Sequence, residues 1–62
     1  MNQYRIILLD AQGAELSSGY LFAGEDESAC ASAERLMDST AKAMSVEVTC
    51  EGRLVCSYQR AA

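Results

Sequence analysis

The segment Tyr4-Arg5-Ile6-Ile7-Leu8-Leu9-Asp10-Ala11-Gln12-Gly13 decides the fold of this 62-residue chain. Residues 4 to 9 are apolar apart from Arg5 and β-branched at two positions, which reads as a strand, and the Asp10–Gly13 cluster reads as a turn. A second run, Glu15 to Ala23, holds Leu16, Tyr20, Leu21 and Phe22. Strand side chains alternate between faces, so Tyr4, Ile6 and Leu8 share one face of the first run, and Leu16, Ser18, Tyr20 and Phe22 share one face of the second. Two even sets meet on one side of a hairpin when its loop holds an odd number of residues. Ala11-Gln12-Gly13 is such a loop, with Gly13 in the left-handed bulge position. The register this predicts pairs Leu8 with Leu16 and Ile6 with Ser18.

Working outward, the C-terminal part repeats the pattern. Val46 and Val48 are even, as are Leu54, Cys56 and Tyr58, and a three-residue loop Cys50-Glu51-Gly52 with Gly52 in the left-handed slot brings them together. Between the hairpins, from Gly24 to about Thr40, the residues Ala29, Cys30, Ala33, Leu36, Met37 and Thr40 recur at helical spacing and form one stripe. Gly24 is the expected N-cap. Glu25, Asp26 and Glu27 then fall in the first turn, where carboxylates favour the helix dipole, and Asp38 and Lys42 stand four apart as a supporting pair. The order is ββαββ, an α+β fold occupying residues 1–62 as one domain. Strand 1 is the most apolar, so the expected antiparallel sheet has the order 2-1-3-4 with the helix on one face.

Composition narrows the function. Five Lys/Arg against nine Asp/Glu give a net charge of −4, which opposes binding to a phosphate backbone, so no nucleic-acid partner is expected. No apolar run is long enough to span a bilayer, and the start lacks the basic stretch and cleavage site of a signal peptide. Three cysteines, 30, 50 and 56, are odd in number and far from Cys-x-x-Cys spacing, which points away from a secreted disulfide framework and toward a reduced cytoplasm. Cys30 and Cys56 are expected as small buried hydrophobes, and Cys50, in a loop beside Glu51, has no His or Lys nearby to activate it.

With no histidine in the chain, the serines lack the usual base, and three scattered thiols do not make a four-ligand zinc site. The four glycines are isolated, not a phosphate loop. A chain this short also has little room for the cleft a carboxylate pair would need. No enzyme activity, metal or cofactor is expected.

What remains is an apolar surplus. With the even positions facing the helix, Ile7, Leu9, Leu21 and Val55 are left on the other face of the sheet, which one helix cannot cover. A chain of this size buries only about 60% of the surface exposed when unfolded, so a second copy that covers this patch would complete its core. The expected function is therefore a protein–protein interaction module, homodimeric through the outer sheet face or an edge strand. The competing expectation is an acidic inhibitor or nucleic-acid mimic that presents Glu25, Asp26, Glu27, Glu34 and Asp38 to a basic groove.

Taken whole, Tyr4-Arg5-Ile6 with Leu9-Asp10 and Gly13, then Glu25-Asp26-Glu27-Ser28-Ala29, then Val46-Glu47-Val48 with Gly52-Arg53-Leu54-Val55 resembles a group of small proteins of unknown function common in alphaproteobacteria. The resemblance covers nearly the entire chain. It implies a ββαββ fold and a bacterial cytoplasm, and it transfers no active site.

Overall fold

The computed structural model describes residues 1–61. Strands β1 (Asn2–Leu9) and β2 (Glu15–Ala23) form the first hairpin, α1 (Asp26–Asp38) follows, and β3 (Ser45–Cys50) and β4 (Arg53–Gln59) form the second. All neighbouring strands are antiparallel, in the order β2-β1-β3-β4. The expected α+β architecture and strand order therefore hold.

The helix lies on the face of the even-numbered residues of β1 and β3. Tyr4, Ile6 and Leu8 are buried there with Val46 and Val48, and Ala29, Ala33 and Met37 close over them from α1. Two alanines on the buried helix face leave little depth between helix and sheet, so the core is thin. Among the described residues no polar or charged one is buried.

Both turns obey their glycines, and each hairpin carries one added residue that shifts the pairing on its second strand. At the first, Asp10 N–H donates to Ala14 O at 2.9 Å around the expected loop Ala11-Gln12-Gly13, with Gly13 at φ +80°. The Asp10 carboxylate reinforces the loop by accepting from Gln12 N–H and Ala14 N–H, each at 2.9 Å. Beyond it the register slips: Leu9 pairs with Glu15, but Leu8 pairs with Ser17 and Ile6 with Gly19. Leu16 is the extra residue of a β-bulge. Because side-chain facing has period two, one inserted residue turns the rest of the strand over. The expected pairs Leu8–Leu16 and Ile6–Ser18 are thus replaced. Ser17, Gly19 and Leu21 take the helix side, and Ser18, Tyr20 and Phe22 the other.

In the second hairpin the loop has two residues, Glu51 and Gly52, both with positive φ (53° and 78°), as a type I′ turn requires. The expected three-residue loop is corrected accordingly: Cys50 belongs to β3 and pairs with Arg53. A bulge at Val55 then restores the even pairs Val48–Cys56 and Val46–Tyr58, while Leu54, opposite Thr49, faces away from the helix.

Glu25, not Gly24, is the N-cap, with extended backbone and no side-chain capping bond. The helix ends at Asp38, so Lys42 lies beyond its last turn and the expected Asp38–Lys42 support is absent. Instead, Ser39 and Thr40 hydroxyls donate to Leu36 O, and the Arg60 guanidinium donates to Met37 O and Thr40 O. A cation on the terminal carbonyls suits the negative end of the helix dipole. The two cysteines expected as separate thiols are joined: Cys30 of α1 and Cys56 of β4 form a disulfide across the layer between helix and sheet. Cys50 is the one free cysteine.

Candidate interaction surface

The register determines which side chains stand on the uncovered face. Reading across the sheet, one row is Tyr20, Arg5, Thr49 and Leu54, and the next is Ser18, Ile7, Glu47 and Ser57. Leu9, Ser45 and Gln59 form the row beyond, and Phe22 stands at the opposite end beside Gln3. The face is therefore divided. Its β2–β1 half carries Phe22, Tyr20, Ile7 and Leu9, whereas its β3–β4 half is mostly hydroxyl, amide and carboxylate with Leu54 alone as a large apolar residue.

Of the four expected patch residues, the structure keeps two on this face. Ile7 and Leu9 are there and half-buried. Leu21 and Val55 are not: both pack against the helix-side core, Leu21 because the Leu16 bulge reversed β2 and Val55 because it is itself the bulge residue. Their places are taken by residues expected in the core. Tyr20 is 65% exposed, Phe22 63% and Leu54 58%, with Leu16 also open at 38%.

On the helix side, β2 is thin. Ser17 and Gly19 are the residues it sets beside the buried Ile6 and Leu8, and a shallow cleft of about 120 Å³ opens there between the strand and Leu36 of α1. The outward edge of β2 carries no proline, and its only charged residue is Glu15.

The acidic face is exposed at all five positions, Glu25, Asp26, Glu27, Glu34 and Asp38. One of them is engaged: Tyr4 Oη donates to Asp26 Oδ1 at 2.7 Å, and Arg53 Nη2 lies 3.7 Å from Asp26 Oδ2. Asp26 thus ties the first turn of α1 to β1 and β4, and its hydrogen bond raises the Tyr4 phenol pKa above its usual 10.0. The ion pair itself is half-exposed and adds little.

Among the described residues no group of three or more His, Cys, Asp or Glu is placed to hold a metal ion, and no helix is long and apolar enough to cross a membrane. No protein-family model, curated protein or solved structure matches the chain.

Proposed function

We propose that the chain is a non-enzymatic interaction module whose partner is a second copy of itself, bound through β2 and the apolar half-face beside it. One observation carries this reading. Tyr20 and Phe22, the two most exposed aromatic side chains, stand on an unblocked edge strand beside Ile7 and Leu9, with no element of the chain above them.

The energetics set the expected strength. Full burial of one large apolar side chain is worth about 1.5–3 kcal/mol, so two aromatics from each copy contribute no more than roughly 6–12 kcal/mol against an association cost of about 4–15 kcal/mol. The surplus is at most about 8 kcal/mol, the equivalent of a micromolar Kd, so the dimer exchanges with monomer at micromolar concentration or above. Light scattering or sedimentation over micromolar to millimolar protein should show mass rising from 6.7 kDa toward twice that value. Phe22→Lys, which puts a charge on the patch and changes nothing in the core, should hold the chain monomeric. A wild-type chain that stays monomeric at millimolar concentration would remove the reading.

Within the same proposal, the module works where the Cys30–Cys56 bond survives. That favours an oxidising compartment over the reduced cytoplasm expected from the thiol count.

A further inference from the structure

Resting on that reading, we infer that the second copy docks antiparallel along β2 with the two-fold axis at Gly19, which joins the two sheets into one of eight strands. Backbone direction comes first. Asp10 N–H donates to Ala14 O on the hairpin side, and Leu9 O accepts from Met44 N–H on the other side. The N–H and C=O of one strand residue point the same way and alternate along the chain. The even residues of β1 therefore address β2, and their partners Ser17, Gly19 and Leu21 address β1. Ser18, Tyr20 and Phe22 are left with N–H and C=O groups directed outward, ready for another strand.

The side chains then select the register. Gly19 is the middle residue of the nine in β2, so an axis there sets the two strands end against end, with Ser17–Leu21 pairing clear of the Leu16 bulge. It sets Ser18 against the partner's Tyr20, Ser17 against the partner's Leu21, and Leu16 against the partner's Phe22. A large side chain meets a small one at Ser18–Tyr20 and Ser17–Leu21, two apolar side chains meet at Leu16–Phe22, and Gly19 meets Gly19 where a pair without mutual hydrogen bonds brings Cα atoms to about 4.5 Å. The partner's Leu21, opposite Ser17, comes to lie over the cleft beside Leu36 that the strand's small residues leave open.

Charge agrees. Glu15 falls opposite the partner's Ala23, whereas an axis at Tyr20 would set Glu15 against the partner's Glu25. An axis at Ser18 would push Phe22 beyond the end of the opposing strand. Nine residues give a contact about 30 Å long, close to the 32 Å longest extent of the molecule. A stable dimer takes roughly 800 Å² from each copy, a fifth of the 4,080 Å² surface. The other edge, β4, is shorter and begins at Arg53, and Ser57 and Gln59 make its outer face polar.

Gly19 suits the test, because its φ is ordinary and a Cβ there meets nothing within 4 Å. In a full-length Cys50→Ser background, Gly19→Cys should be converted by mild oxidation at tens of micromolar mostly to covalent dimer, read by non-reducing electrophoresis and intact mass. Tyr20→Cys should link at least tenfold less, since two residues of stagger carry its Cα pair beyond the roughly 7 Å limit for a disulfide. An equimolar mixture of Ser17→Cys and Leu21→Cys should link as heterodimer and neither alone, which covers the case of a Gly19 variant that misfolds. Preferential linking of Tyr20→Cys overturns the register. Dimer by light scattering without any β2 link overturns the edge and leaves self-association standing, and a monomeric wild type removes both.

Discussion

Reducing the Cys30–Cys56 bond should cost this chain a large share of its stability. The bond closes a loop with a sequence separation of 26, and the chain-entropy relation assigns such a loop about 3.5 kcal/mol at 25 °C. A 62-residue domain at roughly 0.05–0.15 kcal/mol per residue has only about 3–9 kcal/mol in all. The helix touches the sheet through alanines and Met37, so little other burial holds it down, and the tie from α1 to β4 carries weight that packing supplies in larger domains. In urea, with a slope near 1 kcal/mol/M for so small a protein, the far-ultraviolet dichroism midpoint should fall by about 3 M on reduction. A Cys30→Ala/Cys56→Ala variant should reproduce the reduced midpoint under non-reducing conditions, because both changes leave the loop open and remove little volume. Intact mass under native conditions must first show the bond formed. A midpoint loss below about 1 M, or about 1 kcal/mol at that slope, with the bond present would refute the reasoning, for it would mean that the unfolded chain gains no freedom when the loop opens.

Three further perturbations test the core, a turn and the Asp26 tie. Met37→Ala removes the largest side chain the helix buries, 3% exposed, and should cost about 2–5 kcal/mol in urea unfolding; a loss under 1 kcal/mol would show that the layer collapses to fill the gap. Gly52→Ala places a Cβ at φ +78° and should cost about 1 kcal/mol, read as a lower melting temperature with unchanged dichroism. The raised Tyr4 pKa has a definite sign: the folded phenol holds its proton longer than the unfolded one, so this contribution is complete below pH 10.0 and is lost as pH climbs through the folded value. Tyr4→Phe should be flatter than wild type in a plot of stability against pH above 10, and parallel curves would show that the Asp26 contact does not govern alkaline unfolding.

Element order, strand order and the face that receives the helix were legible because alternation in β1 and β3 is clean and Gly13 and Gly52 mark the turns. The orientation of β2 was not. Nothing local announces the bulge at Leu16, which lacks the Gly or Pro that often flags such a site, and beyond it every side chain changes sides. A global signal did exist: the short stripe centred on Ala29 and Ala33 already closes over Tyr4, Ile6, Leu8, Val46 and Val48, which leaves little of it for two further rings on the edge strand. The disulfide was hidden by counting. Cys56 alternates toward the helix and Cys30 lies at the edge of the stripe facing the sheet, so the two thiols could meet, yet an odd total argued against pairing. Leaving Cys50 over was the arrangement that satisfied both.

The same inserted residue connects the fold to the surface. Without a bulge, β2 would turn Tyr20 and Phe22 toward α1 and leave Ser17, Gly19 and Leu21 on the open side, so that the strand would add one large apolar group to that face. With it, the aromatics stand in water and the helix side of the strand beside Leu36 is left to Ser17 and Gly19, where the cleft opens. The exposed rings on one face of β2 and the shallow hollow on the other thus arise from one residue of register. Bulges are known to bend edges away from unwanted pairing. Here the bulge lies at the hairpin end, leaving Ser17–Ala23 as a regular run on which a second strand can form hydrogen bonds, so its main effect is to choose the side chains that such a strand would meet.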